Sequence, residues 1–272
     1  MTYLESFSLK GKTAVITGGA GILGEHFCKG LAEAGASVCI LDQNEKAAKD
    51  LASALQDQYR VKSLGLFCDV SDKKSVESSV AAAVEKLGPI HILHNNAATK
   101  TENLEEFFAS FEDYSIDTWR EVMGVNIDGM FLMAQACGRQ MIQSKIKGSI
   151  IQTSSIYGSL APDQRIYKDS QYMNRTINTP AVYSVSKAAV VGLTRHLATY
   201  WAPHGIRVNC LTPGGAESGQ NPTFSKNYSE RVPLGRMAQP QEMVGALIYL
   251  ASDASSYVTG QNFFVDGGLS AW

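Results

Sequence analysis

Tyr183 and Lys187, four residues apart in the run AVYSVSKA, are the first pair able to do chemistry. On a helix that spacing puts both side chains on one face. An ammonium beside a phenol favours the phenolate and lowers a pKa that starts near ~10. A tyrosine tuned this way exchanges a proton with a substrate hydroxyl near neutral pH. By itself the spacing also fits a plain solvated helix face.

The second candidate is TGGAGILG, Thr17–Gly24. Gly18 supplies a tight turn, Gly21 lets the backbone approach a pyrophosphate, and Gly24 lets the following helix pack closely. A helix starting here presents free N–H groups and a positive dipole end to phosphates. Gly18, Gly21, Ile22, Leu23 and Gly24 are the candidate contacts; a simple β–α turn is the plain alternative. Asp42 stands about twenty residues on, where a carboxylate accepts both ribose hydroxyls of NAD and repels the extra phosphate of NADP. Gln43 and Asn44 follow it, with no arginine, which favours NAD over NADP. Asp42 also suits a helix N-cap, a task Asn44 can take instead.

The elements that must position these residues alternate regularly. Strands are predicted at Thr13–Thr17, Ser37–Leu41, Val61–Cys68, Ile90–His94, Ser149–Thr153, Ile206–Leu211 and Asn262–Val265. Helical patterns lie between them: Ile22–Ala34, Asn44–Gln58, Lys73–Leu87, Asp117–Ser144, Ala181–Trp201 and Gln241–Ser252. Such alternation implies βαβ units and a parallel sheet covered on both faces, so the fold class is α/β, a doubly wound, Rossmann-like sheet. A ligand then sits at the carboxyl ends of the strands. Residues 1–272 show no linker composition and read as one domain.

The 272 residues are 44% apolar and 18% charged, with a formal net charge of −2, which argues against a nucleic-acid partner. The five cysteines, Cys28, Cys39, Cys68, Cys137 and Cys210, make no C-x-x-C pair and read as buried small hydrophobes of a reducing compartment. His26, His91, His196 and His204 form no metal-like cluster, and His94 reads as a buried strand-end histidine; no metal is expected. No apolar run reaches about 20 residues, and the first dozen hold no signal-peptide stretch. A soluble, cytoplasmic protein with no membrane partner is expected.

Further motifs complete a pattern: CDV at Cys68–Val70, NNAA at Asn95–Ala98, VNIDG at Val125–Gly129, SSIYG at Ser154–Gly158, RVNCLTPGG at Arg207–Gly215 and VTGQNFFVDGG at Val258–Gly268. With TGGAGILG, Asp42 and YSVSK, they make the chain resemble the short-chain dehydrogenase/reductase family, in its compact single-domain branch, over nearly its whole length. The resemblance implies roles. Tyr183 would be the acid/base, and Lys187 would lower its pKa and hold the nicotinamide ribose. Ser155 would bond the substrate oxygen, and Asn126 would anchor a proton-relaying water. Asp69 and Val70 would contact the adenine, and Asn96, Ala97 and Ala98 would line the path to its ribose. Pro213 and Gly214 would face the nicotinamide, and Ser218 stands where the family usually has a threonine. Ser154 is the alternative to Ser155, although the glycine three residues on favours Ser155.

Three features depart from that pattern. The glycine turn runs G-x-x-G-x-x-G, with Ile22 where the compact branch usually has glycine; this spacing looks like the epimerase and dehydratase branch. NNAA replaces NNAG. Two segments are long: Thr99–Tyr114, and the 28 positions from Ser155 to Tyr183. Loops 99–114 and 156–182 both follow predicted strand ends and should reach the cleft, or else be surface insertions or subunit contacts. Their polar and aromatic make-up suits a hydrophilic substrate, with Tyr157, Arg165 and Arg175 as candidate contacts. The loops, with SSIYG and the terminal SAW, look like members associated with bacterial surface-sugar pathways, including nonulosonic acid and flagellin-glycan synthesis.

The leading expectation is therefore an NAD-dependent oxidoreductase interconverting a secondary alcohol and ketone on a sugar, sugar acid or amino sugar. A hydride-returning epimerase or dehydratase, and a non-enzymatic NAD-binding sensor or scaffold, are the alternatives. The resemblance also implies a homotetramer, or homodimer, built on the two long helices.

Overall fold

The computed structural model describes residues 2–272. Its strands are β1 (Thr13–Thr17), β2 (Ser37–Asp42), β3 (Ser63–Phe67), β4 (Ile92–Asn95), β5 (Ser149–Thr153), β6 (Gln171–Tyr172), β7 (Arg175–Thr176), β8 (Arg207–Pro213) and β9 (Asn262–Val265). Its helices are α1 (Ile22–Glu33), α2 (Glu45–Tyr59), α3 (Lys73–Leu87), α4 (Leu104–Phe107), α5 (Ile116–Met123), α6 (Gly129–Gln143), α7 (Ala181–Tyr200), α8 (Pro222–Ser229) and α9 (Val244–Ala251).

Seven strands form one sheet in the order β3-β2-β1-β4-β5-β8-β9, every pair parallel. The expected doubly wound α/β sheet is what forms. All five residues of β1 are buried, because a central parallel strand is covered on both faces. Alternate side chains go to opposite layers. Ala14 and Ile16 join Phe27, Leu31, Leu55 and Leu247 on one side, while Val15 joins Met133, Met141, Leu197 and Trp201 on the other. The chain leaves β1 in both directions, to β2 on one flank and β4 on the other, so the switch point lies at the carboxyl end of β1.

Side-chain caps set several helix starts. Asn44 Oδ1 accepts the Ala47 N–H at 3.0 Å, and Asp72 accepts from Lys74 and Ser75. The helix expected over Asp117–Ser144 is instead α5 and α6 joined by a π-helical turn at Gly124–Asp128, which holds Asn126 fully buried. π-turns inside helices often mark functional positions. The helix expected at Gln241–Ser252 begins as a 3₁₀ turn, Pro240–Met243, because proline occupies its first position.

The two long segments are not featureless. Residues 99–114 carry the short α4. Residues 156–182 carry an antiparallel hairpin, β6–β7, whose two turn residues Met173 and Asn174 both have positive φ. Among the described residues, no helix is long and apolar enough to cross a membrane.

Candidate active site

The site is assembled at the carboxyl end of the sheet. At Gly18, φ is +61°, and a side chain there would put its Cβ 2.9 Å from Ala97 Cα. At Gly24, a Cβ would lie 2.1 Å from the Gly18 carbonyl oxygen. The turn is therefore drawn so tightly against β4 and its own helix that only glycine fits at either position. Gly21 is the N-cap of α1 and brings no side-chain cap, so the helix's first N–H groups are left without a side-chain acceptor. Ile22, at the next position, is exposed, and Leu23 packs on the core.

Three residues around this turn hold it. Thr17 Oγ1 accepts the N–H groups of Asn96 and Ala97, both at 3.0 Å. Asn96 Nδ2 reaches back to the Thr17 and Gly18 carbonyls, both at 3.3 Å. Asp42, at the end of β2, accepts from Ala20 N at 3.0 Å and Asn44 N at 2.9 Å. Asn44, not Asp42, makes the helix N-cap.

The remaining cofactor candidates follow strand ends. Asp69 holds Ser71 through both its N–H and its hydroxyl, and Val70 is buried against Gly129. Ala98 is exposed. Pro213 ends β8 buried, and Gly214 N–H donates to Val265 O at 2.9 Å. Ser218 is exposed, and its hydroxyl accepts from Gln220 Nε2. The apposed glycines, the uncapped helix start and the carboxylate on the second strand fit a dinucleotide.

Ser155, Tyr183 and Lys187 come together beside that turn. Thr153 pairs with Leu211 across β5 and β8, so Ser155 follows β5 at the level where Pro213 ends β8. Ser154 turns the other way and donates to the Lys187 carbonyl at 2.6 Å, a structural bond that leaves Ser155 as the residue in the cleft. Burial raises the Tyr183 phenol, and the Ser155 hydroxyl beside it acts in the opposite direction. Lys187 is buried; its ammonium donates to Thr153 O at 3.1 Å, and desolvation lowers its pKa to about 8. Lys187 was expected to pull down the Tyr183 pKa. Its ammonium bonds the Thr153 carbonyl, and the Tyr183 pKa stands raised by burial, with the Ser155 hydroxyl opposing that rise.

Asn126 links this group to the first long segment. Its Nδ2 donates to Ser186 Oγ at 3.1 Å, and its Oδ1 accepts from Thr99 N at 3.0 Å. His94 is fully buried with its pKa lowered to about 3 by desolvation, and its Nε2 lies 2.8 Å from Thr153 Oγ1. The five cysteines are free and buried.

The substrate candidates are distributed differently. Tyr157 packs in an aromatic cluster with Ile166, Tyr167, Phe224 and Tyr228, where burial raises its pKa strongly. Arg165 is 85% exposed, lies on Asp163 at 2.8 Å, and lines a cavity of about 430 Å³ between the loop and α8. Arg175 pairs with Glu105 at 2.9 Å, joining the two long segments. Both guanidiniums face carboxylates of the protein itself. The sequence reading missed α8 and its asparagines. The pair Asn221–Pro222, an N-cap followed by proline at the first helical position, was the available signal.

Residues 19–270 match a family model described as enoyl-(acyl carrier protein) reductase. A sorbose reductase of Schizosaccharomyces pombe is 37% identical over 96% of this chain and 97% of that protein. A galactitol 2-dehydrogenase (L-tagatose-forming) of Cereibacter sphaeroides is 34% identical over the full length of both. A crystal structure of a gluconate 5-dehydrogenase from Burkholderia cenocepacia J2315, in complex with NADP and tartrate, superposes with a TM-score of 0.87 at 35% identity, covering 100% of each chain. The chain belongs to the short-chain dehydrogenase/reductase family.

Proposed function

We propose that this protein is an NAD-dependent oxidoreductase that interconverts a secondary alcohol and a ketone on a sugar, sugar acid or amino sugar. The observation that carries it is the placement of Ser155, Tyr183 and Lys187 at one end of the sheet, beside a glycine turn that only glycine can make. The similarity to a sorbose reductase and a galactitol dehydrogenase supports a polyhydroxylated substrate. When bound, the nicotinamide supplies the hydride chemistry.

The chain's own residues do the rest. Tyr183 Oη takes the hydroxyl proton in oxidation and returns it in reduction. Ser155 Oγ donates to the substrate oxygen, where negative charge develops. Lys187, with a pKa about 8, is poised to change its protonation near neutral pH and replenish Tyr183. Asn126 holds the proton path to Lys187. The glycine turn and the start of α1 take the pyrophosphate; Asp69, Val70, Asn96, Ala97 and Ala98 take the adenosine side; Pro213, Gly214 and Ser218 take the nicotinamide side. Asp42 supports NAD over NADP, since its carboxylate sits on the turn at Ala20 and Gln43 and Asn44, not an arginine, follow it.

In this reading residues 1–272 form one domain, with segments 99–114 and 156–182 walling the cleft. Apolar Phe131 on α6 and Val185 on α7 stand exposed on the two long helices, which supports a homotetramer or homodimer; the mass in solution tests it. The likeness to enzymes of bacterial surface-sugar pathways puts amino sugars and sugar acids into the substrate panel. A cytoplasmic location accords with five unpaired cysteines.

The test follows NADH formation from NAD with polyols, aldonates, amino sugars and sugar phosphates. The same ketones are then run with NADH. Turnover confined to one class and absent in Tyr183→Phe is expected. Silence in both directions, with NADH still bound, would overturn the dehydrogenase reading in favour of a hydride-returning enzyme or a sensor. Asp42→Ala should weaken NADH binding about tenfold and narrow discrimination against NADPH. An unchanged ratio of the two affinities removes the ribose role from Asp42.

A further inference from the structure

The inserted segment 156–182 does not end at the cleft wall. It is bonded to α8 through two asparagine side chains. Asn221 Nδ2 donates to Ser170 Oγ at 2.7 Å and to Gln171 O at 2.6 Å. Asn227 Nδ2 donates to the Ile166 and Lys168 carbonyls, both at 3.1 Å. Phe224, between them on α8, has its ring centroid 5.5 Å from Tyr167 of the insertion and 5.9 Å from Tyr228.

Tyr228, in the last turn of α8, packs in the same cluster and also reaches the chain after β8. Its ring is buried at 4% exposure, and its phenolic oxygen accepts the Gly215 N–H at 2.5 Å. A Cβ on Gly215 would lie 2.6 Å from that ring, so the backbone is seated directly on it. Gly215 lies in the stretch that continues β8 past Pro213 and bridges to Ala238 at Ala216. The other bonds on this stretch are backbone to backbone, Gly214 N to Val265 O and Ala238 N to Gly215 O, both at 2.9 Å. Tyr228 is the side chain that clamps it.

We propose that Tyr228 is a positioning residue for the Pro213–Gly215 segment at the end of β8, and that the inserted segment acts on it through α8 and Tyr228. The proposal rests on the reading that this segment faces the cofactor's nicotinamide. It makes the insertion part of the device that sets the hydride distance. The insertion anchors α8 through these hydrogen bonds, the packed rings and the Arg231–Asp163 ion pair, so a change in its order is expected to reach the Gly215 segment; the double variant below tests that coupling. A tyrosine hydroxyl is needed because the acceptor must stand at the far edge of a ring that also fills the cluster of Ile156, Ile166, Val232 and Met237.

The test uses the full chain and three variants: Tyr228→Phe, which keeps the ring and removes one oxygen; Asn227→Ala, which loosens the insertion; and the double variant. Amide deuterium exchange of residues 212–216 is measured without cofactor, NADH affinity by fluorescence titration, and kcat and KM with the substrate found above. Tyr228→Phe should speed exchange at 212–216 and weaken NADH binding about tenfold, and lower kcat with substrate KM changed less than about twofold. Asn227→Ala should shift exchange at 212–216 in the same direction by less, and the double variant should match Tyr228→Phe. Unchanged exchange at 212–216 in Tyr228→Phe would overturn the clamp. Additive effects in the double variant would overturn the transmission from the insertion. A parent protein that binds no NADH sinks the oxidoreductase reading, while the exchange arm still decides the clamp.

Discussion

The glycine turn with its neighbours at β1, β4 and β5, and the inserted segment 156–182 with its partner 99–114, are held by different means. The first region hangs on parallel ladders whose strands are wholly buried in β1, β4 and β5. The second is held largely by side chains. Gln164 bonds Thr179 in both directions, Asn178 Nδ2 reaches Phe108 O at 3.0 Å, Arg175 meets Glu105, and Lys100 Nζ lies 5.2 Å from the Tyr172 ring centre. Strain follows the same division. Among the described residues six non-glycines have positive φ, and four of them, Thr101, Asp169, Met173 and Asn174, lie in these two segments. A β-branched Thr101 in that region is costly. The contrast teaches that the glycine turn and the proposed catalytic residues sit on ladder-bonded elements, while the inserted segments are held by exchangeable side-chain bonds.

The largest way to sharpen this comparison is at the rigid region. Tyr183→Phe should cut turnover about a thousandfold and leave NADH affinity as it was, measured by steady-state rates and fluorescence titration. Retention of more than a tenth of the parent rate would move the acid/base role elsewhere.

Lys187→Met tests what burial costs there. The folded pKa, about 8, is below the ordinary lysine value of 10.5, so a charged Lys187 is a burden on the folded state. The unfolded chain holds its proton longer as pH rises, and the native protein gains stability between pH 8 and 10.5. The variant, which loses turnover, should be more stable than the parent by up to about 3 kcal/mol below pH 8. That advantage should shrink towards pH 10.5, as read by denaturant titration of both proteins. An advantage that grows with pH would contradict the burial.

Gly24→Ala drives a Cβ into the Gly18 carbonyl and should cost about 2 kcal/mol in stability together with cofactor affinity. Arg175→Ala, in the second region, should cost less than about 0.5 kcal/mol, since both partners of the Arg175–Glu105 pair are exposed. Limited proteolysis should nonetheless cut the variant faster within 168–177. If Arg175→Ala destabilised as much as Gly24→Ala, the two regions would not differ as described.

The sheet and the glycine turn were legible because they rest on local signals. TAVIT, SVCIL and SIIQT have the apolar, β-branched content of buried parallel strands, and β1, β2 and β5 fall within a residue of the readings. The three glycines of the turn point to their own tight geometry. The π-turn at Asn126 was not legible, because the glycines at either end of it, Gly124 and Gly129, are tolerated within a helix and the pattern on both sides is helical. The β6–β7 hairpin escaped for a related reason. Its turn is Met173–Asn174, with none of the glycine that marks a two-residue turn.

What the sequence by itself determined is which residues could do the chemistry and which class of sheet would carry them, since glycine spacing, strand composition and helical phase are properties of neighbours along the chain. Tertiary structure alone decided their partners. It put Lys187 on the Thr153 carbonyl, 34 positions away, and turned Ser154 onto the Lys187 carbonyl. It placed Arg165 on Asp163 and Arg175 on Glu105, and it seated Gly215 on Tyr228. Those outcomes depend on which strand ends meet and how deeply a charge is buried, quantities set by packing across the whole sheet.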